Sequence, residues 1–124
     1  MDPIVAIAGS AGGLEPLRLI MAALPIPCSA AVFVVLHIGP HPSVLPRLLS
    51  SSGHVPATFA EDGFLIEAGH VYVAPPDHHM FLEPDRIRLS RGPKVNYTRP
   101  AADPLFISAA EVCGQRVMGI VLRA

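Results

Sequence analysis

Two short runs, Ile4 to Ala8 and Ala30 to Ile38, are apolar almost throughout and rich in β-branched residues, and a helical pattern separates them. Runs of this length without polar alternation read as strands buried on both faces. Between them Leu14, Leu17, Ile20, Met21 and Leu24 recur at three- and four-residue steps, marking an amphipathic helix that Pro25 and Pro27 end. Strand, helix and strand in that order make a right-handed crossover with the two strands parallel, so both finish on the same rim.

The rest of the chain extends this plan. Ser43 to Leu49 predicts a short helix with Ser43 as its cap, stopped by Ser50-Ser51-Ser52-Gly53. From Val55 the pattern breaks into short pieces, Val55 to Ala60 and His70 to Ala74, which read as edge or antiparallel strands. Met80-Phe81-Leu82 and Ile87-Arg88-Leu89 flank Glu83-Pro84-Asp85-Arg86, a turn that predicts a hairpin. After a polar loop from Arg91 to Pro100, Asp103-Pro104 reads as cap and first turn of a helix through Cys113, with Gly114 as its stop. Val117 to Leu122 is a last apolar strand. The expected fold is α/β: a doubly wound, mainly parallel sheet flanked by helices, with an antiparallel hairpin, and incomplete at its C-terminal end.

At 124 residues the chain suits one domain with one continuous core. Apolar residues make up 51% and charged residues 15%, a balance that belongs to a buried sheet and not to a disordered segment. A formal charge of −1 gives no global field for nucleic acid or an anionic membrane. No run approaches the roughly 20 apolar residues of a membrane span, and no export signal leads the chain, so the expected address is the cytoplasm. Cys28 and Cys113 lack paired spacing and read as reduced core residues.

The turn Gly9-Ser10-Ala11-Gly12-Gly13 joins the first strand to the first helix. A serine there is either a simple helix cap or an exposed nucleophile beside helix N-terminal amides, the geometry of a nucleophile elbow without its usual spelling. His37 lies near the carboxyl end of the next strand, inside an apolar run. On parallel neighbours it reaches the rim where Ser10 sits, as a general base; the alternative is a hydrogen-bonded structural histidine. Other uses of the turn fit less well. A dinucleotide site wants GxGxxG and an acidic residue closing the second strand, and a P-loop wants GK[ST], which Gly13-Leu14-Glu15 is not. His37 with His41, and the pair His78-His79, have no acidic or cysteine ligand at a familiar spacing, so no metal and no other cofactor is expected. Arg86, Arg88, Arg91, Lys94 and Arg99 form either a basic lip for an acidic protein or a wet hairpin.

The ordered segments IVAIAGSAGGLEPLR, VVLHIGP, AEDGFLIEAGHVYVAPPDHHM, GPKVNYTRPAADPLFISAA and VMGIVL resemble the catalytic domain of bacterial chemotaxis protein-glutamate methylesterases, the CheB type. The resemblance runs through nearly the whole chain and implies the first two-thirds of that domain. It implies a serine that attacks the methyl ester of a glutamyl residue on a chemoreceptor and releases methanol, with glutamine deamidation as a related reaction. Carried over by motif, the nucleophile is Ser10, the base His37, the oxyanion donor the amide of Ala11, and Arg99 belongs to the substrate-side loop. The family order GAS is here AGS, and a histidine common in the NxxRP loop is Thr98. No receiver domain is expected ahead of Met1. The aspartate that orients the histidine would follow VMGIVL, where Arg123-Ala124 stand instead; Asp77 and Asp103 are the available substitutes. Weak catalysis by the chain alone follows, with a noncatalytic receptor-binding module of the same fold as the alternative.

Overall fold

The computed structural model describes residues 2–37, 44–95 and 98–122. Its centre is a five-stranded, all-parallel sheet built from β1 (Ile4–Ser10), β2 (Ala31–His37), β3 (Ala57–Phe59), β4 (His70–Val73) and β7 (Val117–Leu122), in the order β3-β4-β2-β1-β7. A separate antiparallel hairpin pairs β5 (His79–Leu82) with β6 (Ile87–Ser90). The chain winds from β1 in one direction to β2 and in the other to β7, so the order reverses beside β1. Open α/β sheets offer a crevice at such a point, outside the carboxyl ends of the strands.

Both faces of the sheet are covered, which is why β1 and β2 show no polar alternation. Helix α1 (Leu14–Ala23) and helix α2 (Leu45–Ser52) cover one face, where Leu17, Met21, Leu45 and Leu49 meet Ile7, Val32, Val34 and Val71. Helix α3 (Ala102–Cys113) and the hairpin cover the other, where Leu105, Ala109, Met80, Leu82 and Ile87 meet Ala6, Phe33, Val35 and Tyr72. Phe33 stacks on Tyr72 with ring centroids 5.3 Å apart. The Tyr72 hydroxyl accepts from the Glu67 amide and donates to the Leu65 carbonyl, so the one polar atom of this aromatic pair is satisfied. The other buried polar residue of this region, His79, is pinned in the same way at both ring nitrogens, as described below. Among the described residues no helix is long and apolar enough to cross a membrane.

Three expectations need correction. β3 is an edge strand, as the sequence allowed, but both β3 and β4 are parallel to the core strands and β4 is interior; the polar stretch after Ala60 leaves the sheet and runs beside the hairpin, with Ile66 N–H on the Asp85 carbonyl and Ile87 N–H on the Phe64 carbonyl. Helix α2 continues through the serines that were read as its stop. Ser51 and Ser52 turn their hydroxyls back onto the Leu48 carbonyl, and Ser52 also accepts from Arg18 Nε at 2.8 Å, which occupies the groups that would otherwise compete with the helix. Its cap is Val44; Ser43, the expected cap, lies outside the described residues. Helix α3 starts two residues earlier than a cap at Asp103 predicts, with Ala101 as its cap. Pro104 still sits in the first turn, where a missing N–H costs nothing, and Gly114 ends the helix at φ 56.

Candidate active site

β1 and β2 run in register from Ile4 opposite Ala31 to Ser10 opposite His37. In a parallel pair, residues in register point to the same face, about 4.8 Å apart along the sheet. Ile4 and Ala6 on β1, with Ala31, Phe33 and Val35 on β2, belong to the cluster under α3. Ser10 and His37 continue the same alternation and therefore stand side by side on that face. Both are exposed, while Leu36 next to His37 is 6% exposed, so the strands deliver two polar groups to water only at their last residues.

A cavity of about 290 Å³ opens there, lined by Ala8, Gly9, Val35, His37, Thr98, Ala101, Ala102, Asp103 and Val121. It sits where the strand order reverses, and the first turn of α3 forms one wall. Ser10 is not among the lining residues; it borders the cavity through Gly9 and through its partner His37. Among the described residues no hydrogen bond joins the Ser10 hydroxyl to the His37 ring, and in free enzymes such catalytic bonds often close only with substrate. A larger cavity of about 680 Å³ lies between the hairpin and α3 and shares Asp103 with the first.

The turn that carries Ser10 is shaped by two missing side chains. β1 ends at Ser10, a single tight helical turn spans Ala11–Gly13, and α1 begins at Leu14. A Cβ on Gly9 would lie 2.8 Å from the Leu122 carbonyl oxygen, and one on Gly13 would lie 3.0 Å from Leu122 Cβ. Leu122 of β7 thus fills the space on both sides of the serine, and the order Ala8-Gly9-Ser10 puts the small residue where β7 comes closest.

The residues match a CheB methylesterase family model over positions 5–123. The chain belongs to that family. It is 39% identical to protein-glutamate methylesterase/protein-glutamine glutaminase 2 of Caulobacter vibrioides, over 95% of this chain and 36% of that protein. It is 37% identical to the enzyme of the same name, without the number, from Pyrococcus horikoshii, over 95% of this chain and 33% of that protein. The CheB methylesterase catalytic domain of Thermotoga maritima superposes with a TM-score of 0.92 at 32% identity, covering 98% of this chain and 67% of that one. The chain therefore spans about a third of the length of these two curated relatives. The doubly wound sheet with its hairpin, expected from the sequence, is the fold of this CheB domain.

Within the CheB fold the Arg99, Arg91 and Asp77 side chains near the rim are engaged with one another. Arg99 donates from Nε to Asp77 Oδ1 at 2.8 Å, and from Nη1 to the Arg91 and Gly92 carbonyls, each at 3.0 Å. Arg91 Nη2 reaches Asp77 Oδ2 at 2.7 Å. Hydrogen bonds from Arg99 first, and Arg91 second, hold the Asp77 carboxyl below its ordinary 3.8. Asp77, one of two substitutes considered for the histidine's orienting carboxylate, is thus committed to two guanidinium groups. Asp103, the other, makes no side-chain cap in α3 and lines the cavity with His37.

Four of the five clustered basic residues have carboxylate partners: Arg86 with Asp85, Arg88 with Glu83 and Asp62, and Arg91 and Arg99 with Asp77. Among the described residues Lys94 alone of the five has none. The hairpin is therefore a surface of paired charges, and its contribution to an electrostatic lip is small.

A residue that the sequence reading passed over is His79, 2% exposed. Its Nε2–H donates to the Pro93 carbonyl at 2.8 Å and its Nδ1 accepts from the Ala101 amide at 3.3 Å, fixing the Nε2–H tautomer and satisfying an amide at the start of α3. The adjacent pair His78-His79 was a signal, but it was weighed only for metal binding.

Because the folded carboxyl of Asp77 titrates below its unfolded value, its contribution to stability is complete above the unfolded pKa and is lost as pH falls through the folded one. Asp77→Asn is expected to lower the melting temperature at pH 7. The gap to the parent should narrow as the pH falls below the ordinary Asp value of 3.8 and close only below the lowered folded pKa. A gap independent of pH would mean that the carboxylate charge contributes nothing.

Proposed function

We propose that the chain carries the nucleophile and base of a serine hydrolase that removes methyl esters from glutamyl side chains of chemoreceptors, with glutamine deamidation as the sister reaction. One observation carries the reading: Ser10 and His37 occupy the final, paired positions of two parallel strands, on one face, at the rim where the sheet reverses. The names of the similar proteins supply the reaction class.

In the proposed reaction His37 takes the Ser10 proton as Oγ attacks the ester carbonyl. The oxyanion of the tetrahedral intermediate accepts a hydrogen bond from the Ala11 amide. His37 then returns the proton to the departing methoxide, methanol leaves, and a water activated by the same imidazole hydrolyses the acyl-enzyme. Arg99 serves on the substrate side, in the loop that reaches the cavity through Thr98. The substrate is an acidic receptor segment and the setting is the cytoplasm. With Asp77 held by two arginines, Asp103 is the described carboxylate that shares the His37 cavity, and an orienting carboxylate is worth about 10⁴-fold to a triad.

A fluorophosphonate probe followed by peptide mass mapping tests this directly. The adduct is expected on Ser10, absent from Ser10→Ala, and formed about 10²-fold more slowly in His37→Gln, the size of a general-base contribution. Equal labelling of Ser10→Ala would remove the hydrolase reading. Receptor binding indifferent to both substitutions would then favour a noncatalytic docking module.

A further inference from the structure

The described residues 91–95 and 98–102 supply Thr98, Ala101 and Ala102 to the cavity that His37 also lines, yet they hold little regular structure of their own. Their described internal bonds are the reciprocal pair between Val95 and Thr98, both 3.0 Å, the Thr98 hydroxyl on the Val95 carbonyl, and Arg99 Nη1 on the Arg91 and Gly92 carbonyls. What fastens this segment to the body of the protein comes from one short turn after β4. Asp77, in that turn, adopts the left-handed conformation at φ 64, which Asp and Asn tolerate better than other side chains. This backbone places Oδ1 on Arg99 and Oδ2 on Arg91, while Arg99 Nη1 draws in the Arg91 and Gly92 carbonyls. Two residues later His79 grips the same segment at Pro93 and at Ala101. Both ends of the wall are thereby tied to residues 77–79.

We propose that Asp77 is a positioning residue of this site: through Arg99 and Arg91 it fixes the described residues 91–95 and 98–102 as the wall that meets the substrate chain in the cavity His37 lines. The role in the reaction rests on the hydrolase reading above; the fixing of the wall does not. Asp77 touches neither Ser10 nor His37 in any recorded contact, so its effect reaches the chemistry only by way of the segment. A small probe that reacts at Ser10 from open solvent has little need of the wall, whereas an esterified peptide must be laid along it. The Arg99 side chain is 17% exposed and the Asp77 side chain 45%, so the pair is accessible to salt and to substitution without opening the core.

The substitution Asp77→Asn keeps the left-handed turn and removes the charge. With a glutamyl methyl ester peptide as substrate, its KM is expected to rise about tenfold or more, since small misplacements of positioning groups are costly. Fluorophosphonate labelling of Ser10 should stay within about threefold of the parent, the range of a group that leaves the reacting atoms in place. Asp85→Asn, which breaks an exposed pair with its neighbour Arg86 alone, should change neither. Peptide KM and probe labelling impaired together, in proportion to lost melting temperature, would reduce Asp77 to a structural role and overturn the proposal, as would no change in KM. Amide hydrogen exchange supplies the reading that does not depend on catalysis. The amides of Val95, Thr98 and Ala101 should exchange about tenfold faster in Asp77→Asn, with Glu83 and Ile87 in the hairpin unchanged, as expected of local opening. Unaltered exchange overturns the proposal whatever the kinetics show. A parent chain that fails to label at Ser10 defeats the hydrolase reading and with it the reaction role, leaving exchange to decide the fixing of the wall.

Discussion

Gly53→Ala is expected to destabilise the chain by about 3 kcal/mol, the upper end of ordinary overpacking. Gly53 follows α2 with an extended backbone, φ −157, so the residue is not chosen for its dihedral freedom. It is chosen for space: a Cβ there would overlap the Met21 carbonyl oxygen and lie 2.7 Å from the Met21 carbonyl carbon. Those are backbone atoms in the last turns of α1, and the same oxygen accepts the Leu24 amide that finishes the helix. A rotamer change cannot relieve the overlap, so α1 and α2 must part, and Leu17, Met21, Leu45 and Leu49 separate with them. Urea unfolding should show a midpoint far below that of Gly119→Ala, where nothing lies within 4 Å and a change within about 0.5 kcal/mol is expected. Equal midpoints would mean that the two helices have slack at this crossing.

On the opposite face, Phe33→Ala should cost about 3 to 5 kcal/mol, the usual range for removing a fully buried aromatic ring. Phe33 is completely buried at the centre of β2 and stacked on Tyr72, and its neighbours come from the strands, the hairpin and α3. Those elements are held in place by the sheet and cannot collapse into the space left. Against a typical total of 5 to 15 kcal/mol, such a loss leaves a marginal fold. Calorimetry should register it as a melting temperature lowered by about 10 °C or more, given about 4 °C per kcal/mol where the ranges for smaller and larger domains meet. A shift of only one or two degrees would show that the core under α3 is not the main support.

The central crossover was legible because β1 and β2 are covered on both faces, and double burial writes itself as an unbroken apolar run. The rim positions of Ser10 and His37 were legible by the same logic, since a polar residue closing such a run has only the rim to occupy. The parallel direction of β3 and β4 was not legible: three- and four-residue strands carry no directional signal, and their orientation is set by pairing with β2 and by where α2 and the following loop return the chain. The start of α3 was misplaced because a local rule favoured Asp103 as cap, while the amide of Ala101 is satisfied by His79 from a distant strand. The hub at Asp77 was invisible for the same reason, as its partners lie 14 and 22 residues away along the chain.

Leu122 wedged against Gly9 and Gly13 has a mechanical corollary. The outermost described strand acts as a key in a lock whose two wards flank Ser10, so the turn and the sheet's margin are packed as one unit. Met118 and Val121, 61% and 58% exposed on that margin, lie on the same strand as Leu122, so a load applied there bears on the packing around Ser10.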